Sequence, residues 1–534
     1  MPGRFPIIYL RGFAGSTRGI NKAVDDPFYG FNAGSTHVRV NGEGDPIFYQ
    51  FESPLVRLVT EMSYSLFVDG DQEAYLDSKE PGEVVPTSIW IHRFYDRSAT
   101  TWERRKKSRD SVADQELEEA NRGRPDLTNP RPFQLETAAE DLLRLVEKVL
   151  FKTGAPRVHL VAHSMGGLIC RSMIQRVIPD RYGLNGANPG PGERRQAADF
   201  VDRLFTYGTP HGGIEFEFGF GLAEALRDEF GIGGGEIFGP ERMYEYLTPS
   251  ARRQDRAPRD WDPRDNPDPD NFPTDRIFCL IGTNPEDYAA ALGMSSRAVG
   301  VKSDGLVQIE NALVTKANHA YVHRSHSGRY GMVNSEEGYQ NLIRFLFGDV
   351  RVTADLVDLR LPQAQRLTWQ AETRLAVRGL PVLFHEQTAA HHCPILIEER
   401  RPEDPADRPI PLVTSYLWTE QARPHMPMRY TVHVRLLSLQ EHNSVFFWKD
   451  HIEQSTDFDD ILVVDVEQRQ TGMVCWATWA SEIEVPLRDY QPSGDPLGDL
   501  DDRQGVWMAR VPLPIAGQFL GEDAAVELTV RPAT

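Results

Sequence analysis

Short apolar runs alternate with helical patterns along the first two thirds of the chain. Strands that are covered on both faces are continuously apolar, so five such runs predict a buried parallel sheet. The runs are residues 5–10, 88–95, 157–162, 203–208 and 276–282. Three further segments repeat apolar residues at spacings of three and four and predict helices, at 135–151, 167–178 and 335–348. This alternation indicates an α/β fold with helices on both faces of the sheet.

The pattern changes after Gly348. Short segments follow, several of them alternating apolar and polar residues, with turn residues between them and no long helical pattern. The segments are 349–361, 428–437, 443–450, 459–468, 473–479, 481–487, 505–515 and 524–532. This pattern of short segments and turns predicts an antiparallel β-sandwich. We therefore expect an α/β domain over 1–349 and a β-sandwich domain over 350–534.

Three stretches of the first domain interrupt its pattern and predict insertions. They are residues 103–131, 180–199 and 211–275. The longest begins with a glycine- and aromatic-rich half and ends in an irregular tract rich in proline, aspartate and arginine.

Composition excludes some classes of partner. The chain has 534 residues and a net charge of −20, which argues against nucleic acid and weakly against a permanent place on an anionic membrane. The four cysteines have no paired spacing, so no disulfide framework or zinc site is predicted. No apolar run is long enough to span a membrane, and the first residues do not resemble a signal peptide. We expect a cytoplasmic protein, with export by a non-classical route left open.

The stretch AHSMGG at 162–167 places Ser164 on a tight bend between a predicted strand and a predicted helix. A serine hydroxyl is a weak nucleophile, and this turn exposes it above the sheet to a base and to oxyanion donors. The alternative is a turn whose serine is only a helix cap. The flanking strand and helix favour the nucleophile.

An acid and a base are expected downstream of the serine, on loops at the carboxyl ends of later strands. Asp304, in a Ser-Asp-Gly turn, is the first candidate for the acid, with Asp287 and Asp275 as weaker ones. Asp before Gly is also a common turn former. His326 lies on the loop before the last helix and is the first candidate for the base, with His323 as the runner-up.

Two backbone N–H groups must stabilise the oxyanion. One is expected from Met165, which follows the serine. The other is expected from Phe13, in the glycine-containing loop after the first core strand.

These motifs resemble those of the α/β-hydrolase superfamily, in particular the bacterial lipases and esterases. The similarity lies in RGFAGS (11–16), AHSMGG (162–167), TYGTPHGG (206–213), SDGLV (303–307) and RSHSG (324–328). It implies Ser164 as nucleophile, Asp304 as acid, His326 as base, and Phe13 and Met165 as oxyanion donors. Arg11 departs from the pattern, since the family usually has histidine there. His163 and His211 receive no catalytic role.

The resemblance implies a serine carboxylic-ester hydrolase, a lipase or esterase with phospholipase as a further option, that uses no cofactor and no metal. Its partner is a lipid or other acyl ester, with transient membrane contact. The insertion at 211–275 is similar to the lid of such enzymes. The alternatives are an acyltransferase with the same triad and a non-catalytic binding protein on a hydrolase scaffold. The sequence does not indicate the oligomeric state.

Overall fold

The computed structural model describes most of the chain. The described residues are 3–10, 12, 39–40, 46–47, 52–67, 72–92, 94, 134–183, 196–214, 236–286, 301–327, 331–361, 367–397, 409–421, 426–442, 451–469, 472–501, 503, 505–514, 517 and 520–533. The statements below concern these residues. The predicted insertion at 103–131, most of that at 180–199, and the predicted strand at 443–450 lie outside them.

A parallel sheet forms the centre of the N-terminal part. Its strands within the described ranges are β1 (Ile7–Leu10), β4 (Ser65–Phe67), β5 (Ser88–Ile91), β6 (Val158–His163), β7 (Val201–Tyr207), β8 (Ile277–Gly282) and β9 (Asn318–Val322). They lie in the order β4-β5-β1-β6-β7-β8-β9, and every pair is parallel. A separate short pair consists of β2 (Arg39–Val40) and β3 (Pro46–Ile47). The mostly parallel sheet predicted from the apolar runs is confirmed.

Helices cover both faces of the sheet. They are α1 (Glu52–Met62), α2 (Gln72–Asp77), α3 (Leu135–Thr153), α4 (Met165–Ser172), α5 (Pro240–Leu247) and α6 (Glu336–Phe347). Alternate residues of one strand point to opposite faces. Ile8 and Leu10 of β1 therefore pack in the layer with α3 and α4, while Ile7 and Tyr9 pack in the layer with α1 and α6.

Two antiparallel sheets follow α6 in the described part of the C-terminal region. The first contains β10 (Val350–Val357), β14 (Ile410–Leu417), β18 (Trp507–Pro512) and β19 (Ala525–Pro532). The second contains β11 (Leu367–Val377), β12 (Leu383–Gln387), β13 (Ile395–Ile397), β15 (Met428–His442), β16 (His451–Arg469) and β17 (Gly472–Trp479). Buried residues of both sheets, such as Val352, Leu528, Leu436 and Val464, share one apolar core. The predicted antiparallel sandwich is confirmed.

The C-terminal sheets also pack against the parallel sheet. Tyr416 and Trp418 belong to the same apolar layer as α6, where their rings contact Phe345 and Phe347. The edge strand β9 lies against β12, and the Tyr321 ring meets the His385 ring edge-on at 5.6 Å. The change of fold coincides with residue 349, while the division into two domains there stays a prediction.

One predicted strand is wrong. Residues 481–487 form a 3-10 turn at Ala480–Glu482 followed by irregular backbone. Asp460 explains the end of the strand, because its carboxylate accepts hydrogen bonds from the N–H and the hydroxyl of Ser481. A backbone donor bound by a side chain does not extend a ladder.

Candidate active site

Ser164 occupies a strained turn between a strand and a helix. β6 ends at His163 and α4 begins at Met165, so Ser164 alone makes the connection. Its φ of 52° and ψ of −130° lie where L-residues are rare. Such strain persists only where surrounding contacts hold the backbone. Here the Ser164 N–H donates to Tyr207 O at 2.9 Å, and the Thr209 hydroxyl donates to Ser164 O at 2.8 Å.

Two glycines leave room for this turn. A Cβ on Gly167 would lie 2.2 Å from the Thr209 hydroxyl oxygen, which is closer than any real side chain allows. A Cβ on Gly12 would lie 2.5 Å from the Ser164 Cβ and 3.1 Å from its hydroxyl oxygen. The backbone of Gly12, two residues after β1, therefore reaches the serine, as expected if the loop after β1 supplies an oxyanion donor.

Asp304 and His326 form a buried hydrogen-bonded pair. The distance from His326 Nδ1 to Asp304 Oδ2 is 2.8 Å, and the His326 N–H donates to Asp304 O at 2.8 Å. The other carboxylate oxygen accepts the N–H groups of Leu306 at 3.0 Å and Val307 at 2.8 Å. The Ser-Asp-Gly turn thus orients the carboxylate through its own backbone, and both of its oxygens are bound.

His163 connects the serine to this pair. Its Nε2 lies 3.0 Å from the backbone oxygen of His326, and because a carbonyl oxygen only accepts, Nε2 donates. The centroids of the two imidazole rings are 4.7 Å apart. The structure therefore brings Ser164, Asp304 and His326 to one edge of the sheet. Sequence reasoning assigned packing to His163 and missed this contact, although its position next to the serine was a signal.

Gly208 is a second position that the sequence reasoning missed. It follows β7 with a φ of 49°. A Cβ there would lie 2.8 Å from Asp304 Oδ2 and 3.0 Å from His326 Nδ1. Glycine is required at this point because the acid and the base meet directly over its Cα.

Of the two predicted oxyanion donors, Met165 belongs to the described residues and Phe13 does not. Met165 is the first residue of α4, and the first N–H groups of a helix have no partner inside the helix, so this position suits a negative charge. Phe13 lies outside the described residues, as does Arg11.

Comparison with known proteins identifies one matching family. Residues 96–330 match the model of the alpha/beta hydrolase family. The fold is that of an α/β-hydrolase. Solved structures similar to this chain include the mature lipase BlEst2 of Bacillus licheniformis, at 18% identity over 41% of this chain and 76% of that one, with a TM-score of 0.28. Another is the lin2722 gene product of Listeria innocua, at 12% identity over 64% and 94% of the two chains, with a TM-score of 0.23. No curated protein matches the chain.

The weaker candidates for the acid and the base contact other residues. His323 stacks on His391 with 3.8 Å between ring centroids, and its Nδ1 faces the Thr283 hydroxyl at 3.4 Å. Asp275 lies at the start of β8, at the opposite edge of the sheet from Ser164, where it pairs with Arg531 at 3.5 Å. Asp287 lies outside the described residues.

His211 is a buried structural residue. Its Nε2 lies 3.2 Å from the Thr206 hydroxyl, and burial lowers the pKa of its imidazole well below the ordinary value. A second contribution comes from the Arg171 charge nearby. The imidazole of His211 is therefore neutral, and its hydrogen bond holds it in place close to the turn at Ser164.

The later half of the predicted insertion is fixed to the helix that follows Ser164. The Arg171 guanidinium of α4 donates to Asp265 O at 2.9 Å and to Gln175 Oε1 at 3.2 Å. Aspartates of the insertion pair with arginines, as Asp262 does with Arg264. Among the described residues, no three His, Cys, Asp or Glu side chains are close enough together to hold a metal ion. The aromatic-rich part at 215–235 lies outside the described residues.

None of the helices in the described ranges is both long enough and apolar enough to cross a membrane.

Proposed function

We propose that this protein is a serine carboxylic-ester hydrolase with Ser164 as nucleophile, His326 as base and Asp304 as acid. The observation that supports it most is the strained serine turn beside a buried Asp-His pair. A serine that only caps a helix needs neither the strain nor a histidine held by a carboxylate. The three residues also follow one another in the chain order serine, acid, histidine that this architecture uses.

The proposed reaction proceeds through an acyl-enzyme. The Ser164 oxygen attacks the ester carbon while His326 Nε2 takes the hydroxyl proton, and the imidazolium forms next to the Asp304 carboxylate. The oxyanion accepts hydrogen bonds from the N–H groups of Met165 and Phe13. His326 returns the proton to the departing alcohol. A water molecule, deprotonated by His326, then attacks the acyl-enzyme, and the carboxylic acid product leaves as Ser164 regains its proton.

Lipid or another acyl ester is the substrate class that we propose. The basis is the insertion at 211–275, which we propose as a lid. Its described part begins beside the site, where Gly212 N–H donates to Asn311 O at 2.8 Å, and its later part binds Arg171 in α4. A segment fixed next to the helix after the nucleophile is well placed to shape an acyl pocket.

The test is hydrolysis of nitrophenyl esters of increasing acyl length by the wild type and by Ser164→Ala. The matched control is Ser172→Ala, a buried serine of the same helix whose hydroxyl has no hydrogen-bond partner among the described residues. We expect Ser164→Ala to lose at least about 1,000-fold in kcat and Ser172→Ala to retain the wild-type rate. The length profile separates an esterase from a lipase.

Two outcomes would contradict the proposal. An active Ser164→Ala protein would mean that another group is the nucleophile. No turnover by the folded wild type, together with no covalent labelling of Ser164 by a fluorophosphonate, would favour a binding protein. Acyl transfer to an added alcohol in place of hydrolysis would keep the triad and change the acceptor.

A further inference from the structure

A small polar cavity lies on the face of the first C-terminal sheet that is turned away from the sandwich core, beside Tyr416 and the start of β8. It has a volume of about 140 Å³ and is lined by Arg351, Thr353, Arg503, Val506, Thr529 and Arg531. The lining contains three guanidinium groups and no carboxylate. This is unusual for a chain in which 78 acidic residues outnumber 58 basic ones.

Strand register builds the floor of this cavity. Arg351 of β10 lies directly opposite Arg531 of β19, and Thr353 lies directly opposite Thr529. Side chains two apart on a strand share a face, so these four form one block. The intervening residues of the two strands, such as Val352 and Val530, point the other way into the sandwich core. The block is therefore a rigid part of the sheet.

The positive charges of the block are only partly balanced, although Arg351 also attracts the carboxylate of Asp355, two residues beyond Thr353 on the same face of β10. Arg531 pairs with Asp275 at 3.5 Å, and Arg503, which is mostly exposed, binds Asp501. Arg351 Nε is buried without a hydrogen-bond partner in the part of the chain that the structure describes. Like charges directly opposite each other on antiparallel strands are destabilising. The pKa of Arg531 is lowered by burial and by the charge of Arg351.

We propose that this cavity binds a phosphate group. Arginine suits phosphate because its planar donors match two oxygens at once, and threonine hydroxyls add further donors. Three arginines and two threonines present more donors than the carboxylates of Asp275 and Asp501 can accept. A volume of about 140 Å³ is several times that of one water molecule, so it has room for a tetrahedral anion.

The phosphate site is separate from the serine site. Arg531 contacts Asp275, just before the start of β8, whereas Ser164 follows the end of β6. Because β6, β7 and β8 are parallel, these positions lie at opposite edges of the sheet. The ligand is therefore not the ester under attack. Its phosphate belongs either to a free ion or to the headgroup of a lipid.

The test measures inorganic phosphate binding to the full chain by calorimetry and by thermal unfolding, at ionic strength held constant with sodium chloride. We expect saturable binding and a rise in Tm for the wild type. Arg351→Gln should weaken binding by at least about ten-fold, and Arg351→Lys should restore part of it. The control is Arg510→Gln, on the neighbouring strand β18, which pairs with Glu527 and Asp358 and does not line the cavity.

A merely structural arginine would behave differently. We expect Arg351→Gln to have a Tm in chloride close to that of the wild type, because the substitution removes both the repulsion from Arg531 and the attraction to Asp355. In phosphate its Tm should be lower than that of the wild type. The proposal is overturned if the wild type binds no phosphate, or if Arg351→Gln binds it as well as the wild type does.

Vesicles then distinguish the two sources of phosphate. Co-sedimentation with phosphatidylcholine vesicles that contain phosphatidic acid, competed by phosphate and lost in Arg351→Gln, assigns a lipid headgroup. Phosphate binding without co-sedimentation assigns a free anion. This test does not depend on esterase activity, so the two proposals fail independently.

Discussion

Gly208→Ala places a single methyl group against the hydrogen bond between Asp304 and His326. The new carbon would lie 2.8 Å from Asp304 Oδ2 and 3.0 Å from His326 Nδ1, whereas ordinary contacts begin near 3.4 Å. One or both partners must therefore retreat by several tenths of an ångström, and the 2.8 Å bond between them lengthens. The backbone adds a cost of about 1–2 kcal/mol, because alanine must adopt a φ of 49°.

The expected result is a fall in kcat for a short nitrophenyl ester of about 100-fold or more, since general-base catalysis contributes about 10²–10⁴-fold and depends on geometry. The matched control is Gly82→Ala, where φ is 77° and no atom lies within 4 Å of the added Cβ. Gly82→Ala has the same unfavourable backbone conformation without the steric clash, so its Tm should fall while its kcat stays at the wild-type value.

Steady-state kinetics and thermal unfolding of the two variants decide the matter together. A folded Gly208→Ala protein with wild-type kcat would refute the reasoning, because the Asp-His contact would then be dispensable. Equal losses of activity in the two variants would attribute the effect to the backbone.

Two further predictions follow from buried histidines. His163→Leu removes the hydrogen bond to His326 O and should lower kcat by about ten-fold, the worth of one such bond, with unchanged KM; His163→Gln should recover part of it. Burial lowers the pKa of His385 to about 3, below its unfolded value of about 6.5. The unfolded state therefore binds the extra proton, and stability falls between these pH values as pH decreases, by about 1.4 kcal/mol per unit. Urea unfolding of His385→Phe should show a flatter pH dependence, and an unchanged slope would contradict the assignment.

The sequence predicts the elements that are long and apolar. β6 follows from the buried run before Ser164 and agrees with the structure within one residue at each end. The helical spacing after Ser164 predicts a helix to residue 178, whereas α4 ends at Ser172 and a π-helical turn, Met173–Val177, continues it. β4 has only three residues, Ser65–Phe67, and gives too little pattern to recognise. Its place is set by pairing with β5, which is a tertiary contact.

In the candidate site, too, local features are predictable from the sequence and long-range contacts are not. The turn at Ser164 is local, and chain order directs attention to Asp304 and His326, which the structure joins. The hydrogen bond from His163 to His326 joins residues 163 positions apart in the chain. The apolar periodicity of a sequence predicts helices and strands, and it does not predict contacts between distant residues. The requirement for glycine at position 208 arises from the same long-range meeting, so it becomes visible only in three dimensions.

The contact between β12 and β9 has a consequence for how the chain avoids self-association. β9 is the last strand of the parallel sheet, and an uncovered edge strand is a template for pairing with another molecule. Here the C-terminal region lies against it, with His385 on Tyr321 and His391 on His323. A chain cut after residue 349 would lose this cover along with Tyr416 and Trp418. The C-terminal sheets therefore cover a strand edge that would otherwise be open to pairing with another molecule.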